Sequence, residues 1–181
     1  ICAPQAQAVQ AGARLSGRQG GSGMLIRRYA PGDLTELLRL FYDTVHTVNA
    51  ADYTPRQLDA WADGAPDAAA WDRSLLSHVA LVAQEAGKIV GFGDIDPSGY
   101  LDRLYVHKDH QGRGIGTALL RELERAAGGG RIVTHASITA RPFFEARGYR
   151  TVRRQRVERR GVTMHNYVME KPDCFFSEKK V

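Results

Sequence analysis

Between Val106 and Ala127 the chain reads VHKDHQGRGIGTALLRELERAA, with Gly112, Gly114 and Gly116 at alternate positions directly before an amphipathic run. Glycines leave no side-chain wall, and the first turn of a helix carries unpaired N–H groups and a partial positive charge. The chemistry this supports is the binding of an anion on backbone donors. For the glycines taken alone, a connecting turn is the plain alternative. Counting excludes two common phosphate motifs. A dinucleotide fingerprint needs glycines at i, i+2 and i+5, but Thr117 and Leu119 occupy the positions where the third would fall. A Walker A loop ends in Gly-Lys-Ser/Thr, and no lysine follows any of these glycines.

The elements that must hold this loop follow from hydrophobic periodicity. MLIRRYA reads as a strand, and PGDLTELLRLFYDTVHTV as a helix, with Asp33 and Glu36 at capping-box spacing. TPRQLDAWA opens a second helix with Thr54 as cap and Pro55 at its first position, and PDAAAWDRSLL adds another turn or two. HVALVAQE and KIVGFGDID, separated by Ala-Gly, read as a hairpin, and YLDRLYV is a further strand before the glycine loop. RIVTHASI, the helix ARPFFEARG and the hairpin RTVRRQRVERRGVTMHNYVMEK complete the chain. This order predicts an α/β (α+β) fold: a mixed, mostly antiparallel central sheet flanked by helices on both faces.

Gln111-x-x-Gly114-x-Gly116, between a strand and a helix, resembles the acyl-CoA pyrophosphate loop of the GNAT superfamily of N-acetyltransferases. Ser137-x-x-Ala140-x-x-Phe143-Phe144-x-x-x-Gly148-Tyr149 is similar to that family's second signature, usually Asn-x-x-Ala-x-x-Phe-Tyr with a closing Gly-Phe. The resemblance runs from about Met24 to Lys171 and is to small single-domain bacterial members. It implies acetyl-CoA as co-substrate, with the N–H groups of Gln111, Gly112, Arg113, Gly114, Ile115, Gly116 and Thr117 as the cradle. Arg113 is a charged contributor or a solvated bystander. The resemblance also implies a bulge near the end of YLDRLYV that splays a strand pair and frees backbone of Leu104, Tyr105 and Val106 for the pantetheine and thioester. Ser137, Ala140, Phe143 and Phe144 would border the same groove. Two residues depart from the family pattern. Ser137 replaces the asparagine, and Phe144 stands where many members carry a tyrosine that protonates the departing thiolate. A thiol with a pKa near 8.5 leaves tolerably as the thiolate, so loss of that acid need not abolish activity. Tyr105, Tyr149 or water are the other sources of a proton.

For the base, Tyr100 and Asp102 alternate along their strand and share a face with Leu104 until the bulge. Asp102 is the first candidate. His135, two residues before Ser137 and on the same strand face, is the second. In this family the early helical region shapes the acceptor pocket, which there draws on His46, Tyr53 and Trp61. His107 and His110 lack a completing carboxylate or thiolate set, so no metal is expected. The expected activity is direct transfer of an acetyl group from acetyl-CoA to a primary amine in a ternary complex. The departures at Ser137 and Phe144 leave a weak or inactive acyl-CoA-binding regulatory module as the alternative.

With 181 residues, 43% of them hydrophobic, the chain has room for one domain with a core of its own. The assignment is a disordered or expression-derived leader over 1–23, with Met24 as a candidate natural start, a domain over 24–171 and a tail over 172–181. Two cysteines, Cys2 and Cys174, suggest no disulfide framework and a reducing, cytoplasmic setting. No apolar run approaches a membrane span or a signal peptide. The formal charge is +5, of which Arg14 and Arg18 lie in the leader. The arginine-rich hairpin lacks the aromatic interleaving of a single-strand binder, so neither nucleic acid nor membrane is an expected partner. A monomer or homodimer is expected.

Overall fold

The computed structural model describes residues 23–172, so the leader with Cys2 and the tail with Cys174 lie outside the described residues. The strands are β1 (Leu25–Arg28), β2 (Val79–Glu85), β3 (Lys88–Ile95), β4 (Tyr100–Val106), β5 (Ile132–Ala136), β6 (Arg150–Arg159) and β7 (Val162–Lys171). The helices are α1 (Leu34–Thr47), α2 (Pro55–Trp61), α3 (Ala68–Ser77), α4 (Ile115–Ala126) and α5 (Arg141–Glu145). One seven-stranded sheet has the order β1-β2-β3-β4-β5-β7-β6. Every neighbouring pair is antiparallel except β4 with β5.

Each face of the sheet is covered. Leu37, Leu40, Phe41 and Val45 recur at helical spacing on α1 and pack with Leu58, Leu75 and Phe92 on one side. Ile115, Leu119, Leu120 and Leu123 of α4 pack with Leu81, Leu101 and Phe144 on the other. Local signals hold in most places. Thr54 caps α2, its hydroxyl accepting the Gln57 N–H while the Gln57 amide oxygen accepts the Thr54 N–H. Ala86 and Gly87 both take positive φ, 48° and 80°, the geometry of a tight turn that follows the twist of its strands. The Asp33–Glu36 capping box does not form. Asp33 accepts the Ala30 N–H at 2.9 Å and pairs with Arg27 at 2.7 Å, while Glu36 accepts the Ile89 N–H of β3 at 2.8 Å. Asp33 is taken by neighbours three and six residues before it, and Glu36 by a strand that tertiary packing brings near.

Two features of β4 shape what lies above it. Its pairing with β5 is confined to Tyr100 with Val133 and Leu101 with Thr134, and past that point the strands part. Its bulge falls at Asp102, because Asp94 pairs with Arg103 whereas Ile95 pairs with Leu101. The bulge was expected near the end of the strand; it lies in the middle. Gly93 makes room for it, since a Cβ there would lie 2.8 Å from the Arg103 carbonyl oxygen. The extra residue resets the alternation. Leu101, Leu104 and Val106 therefore pack toward α4, while Tyr105 joins the α1–α3 core and Arg103 lies over the Trp71 ring.

Candidate active site

The glycine loop leaves β4 through a short 3-10 turn, Lys108–His110, and is tied back where the Gln111 amide donates to the Val106 carbonyl at 2.6 Å. Gly114 is the N-cap of α4 with φ 81°, and Gly112 has φ 72°, a region that residues with a Cβ enter at a cost. The first intrahelical bond runs from Ala118 N–H to the Gly114 carbonyl. Among the described residues, the N–H groups of 111–117 thus have no protein acceptor. A Cβ at Gly112 or Gly114 would meet no protein atom within 4 Å, so the space over the loop is open. Gly116 serves packing instead, with its Cβ position 3.2 Å from the Phe143 ring.

This loop forms one end of a cavity of about 380 Å³ in the gap between β4 and β5. Leu104, Tyr105, Val106, Gln111, Gly112, Gly114, Ile115, Gly116, Thr117, Ser137, Ala140, Phe143 and Phe144 line it, with Asp102 and His135. Arg113 does not: its guanidinium turns to Glu85 of β2 at 3.0 Å, leaving only its backbone in the loop. The cation beside the cavity is Arg147. It lies 3.6 Å from the centre of the Phe143 ring and bonds the Phe143 carbonyl (2.7 Å) and the Thr117 hydroxyl (3.2 Å through Nε). The sequence reading passed over Arg147, and its place next to Gly148 in the second signature was the available signal. Asn49 was missed as well. Ser137 spends its oxygen on the Ala140 N–H at 3.0 Å, and the Asn49 amide reaches the same oxygen at 3.4 Å. An amide group from the short 3-10 turn after α1, Asn49–Ala51, thus stands where Ser137 lacks one.

A second cavity, of about 950 Å³, lies beneath α1, α2, α3 and the tip of the β6–β7 hairpin. The two share Trp61, Asp102 and Tyr105 as walls. At this junction Asp102 pairs with Arg103 at 2.8 Å. Behind it Asp94 is fully buried, 2.6 Å from His78 Nδ1 and 3.6 Å from Arg103. Burial pushes the Asp94 carboxyl up to about 6, against the opposing pull of Arg103 and His78. His78, Asp94 and Asp102 bring ligand atoms within 4.8 Å of one another, but the Arg103 guanidinium already lies against both carboxylates. His135 is held toward its neutral form by burial and by Arg153, with Asp102 opposing.

Other candidates lie elsewhere. Tyr100 lines neither cavity and stacks edge-on to His135 at 5.2 Å. His46 stacks on Tyr42 and reaches Asp59 at 3.2 Å, outside both cavities. Tyr53 donates to the His165 carbonyl at 3.0 Å and accepts the Ile138 N–H at 2.9 Å, a structural clasp. Tyr149 donates to Glu124 of α4 at 3.1 Å, and burial and that carboxylate strengthen its hold on its proton. Tyr105 stays at the junction, partly buried, with its proton affinity raised by burial. His107 and His110 face each other at 5.2 Å beside the loop.

A family model described as an acetyltransferase (GNAT) domain matches residues 49–171. YafP, an uncharacterized N-acetyltransferase of Escherichia coli K12, is 37% identical over 145 residues, covering 80% of this chain and 93% of that protein. A GCN5-related N-acetyltransferase structure from Rhodopseudomonas palustris is 33% identical with a TM-score of 0.80, covering 86% of this chain and 99% of that one. The acetyl-CoA complex of YncA from Salmonella typhimurium shares the fold at 21% identity and a TM-score of 0.62, covering 83% and 94%. Together with the parted β4–β5 pair and the open N–H loop between them, these matches show that the chain belongs to the GNAT family of N-acetyltransferases.

Proposed function

We propose that the protein moves an acetyl group from acetyl-CoA to a primary amine by direct transfer, with both substrates bound at once. The observation that carries this reading is the meeting of two cavities at Asp102, Trp61 and Tyr105. Acetyl-CoA supplies an activated thioester; the chain supplies position, charge and a proton acceptor. The N–H groups of 111–117 and the α4 N-terminus suit the pyrophosphate, and Arg147 adds a positive charge at the same end. Asn49 and Ser137, with the backbone edge of β4 that β5 leaves unpaired, suit the amide-bearing pantetheine arm. The Val106 carbonyl takes no part, being engaged by Thr44 and Gln111.

At the junction Asp102 accepts the proton that the amine must lose, and the bulge is what turns this carboxylate toward both cavities. His135, kept toward neutrality beside the donor cavity, is the alternative acceptor. The new C–N bond forms as the C–S bond breaks, the amine proton passes to Asp102, and the sulfur departs as thiolate to be protonated by solvent. Phe144 offers no proton, Tyr149 is engaged with Glu124, and burial strengthens the hold of Tyr105 on its proton, so departure without a side-chain acid is the reading these observations support. The test is free-thiol release from acetyl-CoA across a panel of primary amines. Amine-dependent release supports the proposal. Acetyl-CoA binding with no release by any amine would favour a binding module instead.

A further inference from the structure

The larger cavity has aromatic walls from four elements: Phe41 and Tyr42 of α1, Trp61 of α2, Trp71 of α3 and Tyr105 of β4. Its arginines are unequal. Arg103 is paired with Asp102, Arg160 with Asp63, and Arg39 lies 3.9 Å from Asp43. Arg159 has neither a carboxylate nor a hydrogen-bond partner among the described residues. Asp67, the remaining carboxylate of the lining, is spent capping α3 on the Ala70 N–H at 2.9 Å.

Arg159 is exposed, on a hairpin tip that is itself held in place. In β7, residues 162–166 pair with β6 alone, so the hairpin tip reaches beyond β5 and over the cavity. Three contacts hold the tip there: Tyr53 to the His165 carbonyl, the Gln57 amide to the Thr163 carbonyl at 2.9 Å, and Arg160 to Asp63. Val157, two residues before Arg159 on the same strand face, packs against the α1–α3 core. Arg159 therefore leaves the strand on the face that looks into the cavity, and its charge is felt at the Tyr100 and Tyr105 phenols.

We infer that the acceptor is a carboxylate-bearing amine with an aromatic body, of the α-amino acid class, whose amine faces Asp102 and whose carboxylate pairs with Arg159. A carboxylate at the junction and a cation at the hairpin tip, both lining this cavity, complement the amine and the carboxylate that such a molecule carries on one carbon, and the aromatic walls match its side chain. This rests on the acetyl-transfer reading above.

The test compares L-phenylalanine, L-phenylalaninamide and phenethylamine as acceptors with saturating acetyl-CoA, in the parent chain and in Arg159→Gln. The expected kcat/KM for the acid exceeds that for the amide by about 10–100-fold, the scale of one charge-assisted pair. Arg159→Gln should bring this ratio toward one, chiefly through KM. A parent chain that prefers the amide or phenethylamine, or a ratio unmoved by the substitution, would overturn the inference while leaving acetyl transfer intact. Quenching of Trp61 and Trp71 fluorescence by L-phenylalanine in the presence of CoA reads the site separately. Arg159-dependent quenching without thiol release would support the site and sink the transfer reading, and neither quenching nor release with the acid would sink the inference.

Discussion

The two cavities that meet at Asp102 are built from different materials. The cavity proposed above for the donor has a backbone end: open N–H groups at the head of α4, two glycines in left-handed conformation and a strand edge left bare where β4 and β5 part. The larger cavity, proposed above for the acceptor, is side chains, drawn from three helices, β4 and a hairpin more than a hundred residues away from α1 in sequence. A backbone cradle tolerates almost any side-chain change that spares its glycines. A side-chain pocket changes its ligand with each substitution. The difference teaches how one fold can keep its donor while its acceptor varies.

The sharpest way to break this comparison is at Gly114. A Cβ there meets no protein atom within 4 Å, but a valine must adopt φ 81° and projects into the open space over the loop. Gly114→Val should fold and lose the rise in melting temperature that acetyl-CoA gives, with affinity falling about 100-fold through two lost N–H contacts. A folded variant with the full thermal shift would mean that the cradle is not backbone-built.

At the junction, Asp102→Asn should lower kcat by roughly 10²-fold while leaving acetyl-CoA affinity unchanged, since proton acceptance is removed and shape is kept. Steady-state rates with saturating acceptor check this. An unchanged rate would move the base to His135, and His135→Gln would then carry the loss.

Asp94 tests the electrostatic cost of the acceptor side. Its folded carboxyl titrates at about 6, above an ordinary value of 3.8, so between these values the folded chain holds a proton that the unfolded chain has released. Stability from this group is present below about pH 4 and is lost as pH rises to about 6, by on the order of 2–3 kcal/mol. Asp94→Asn should therefore gain on the parent by that amount between pH 4 and pH 7, as read by urea unfolding at each pH. A difference that stays constant with pH would show that Asp94 is ionised throughout.

The smallest change in rate is expected on the donor side. Phe144 is only 3% exposed and packs edge-on against Phe143 and Tyr149. Phe144→Tyr should alter turnover by less than tenfold and lower stability by about 1–3 kcal/mol if its hydroxyl finds no partner. A larger rate increase would show that leaving-group protonation limits the native chain.

Much of the donor half was legible because backbone chemistry is local. Alternating glycines before an amphipathic run imply open N–H groups wherever the loop lands, and periodicity with the Thr54 cap and the Ala-Gly turn implies the order of elements. The bulge position was not legible, because it depends on Gly93 letting the Arg103 carbonyl approach from the neighbouring strand. Side-chain assignments fared worst. Arg113 went to Glu85, and the guanidinium beside the cavity is that of Arg147; His46 went to Asp59, and Tyr53 to the hairpin.

By itself, then, the amino-acid order determined the helices, the strands, the N–H loop and the family to which they belong. Only the tertiary structure decided that the bulge falls at Asp102, that Asn49 stands beside Ser137, and that Asp102 and Arg159 line one cavity. Hydrogen-bonding capacity along a backbone repeats with each residue and is set by neighbours in the chain. The partner of a charged side chain is whichever opposite charge the fold brings within about 4 Å, as Glu85, 28 positions away, is for Arg113.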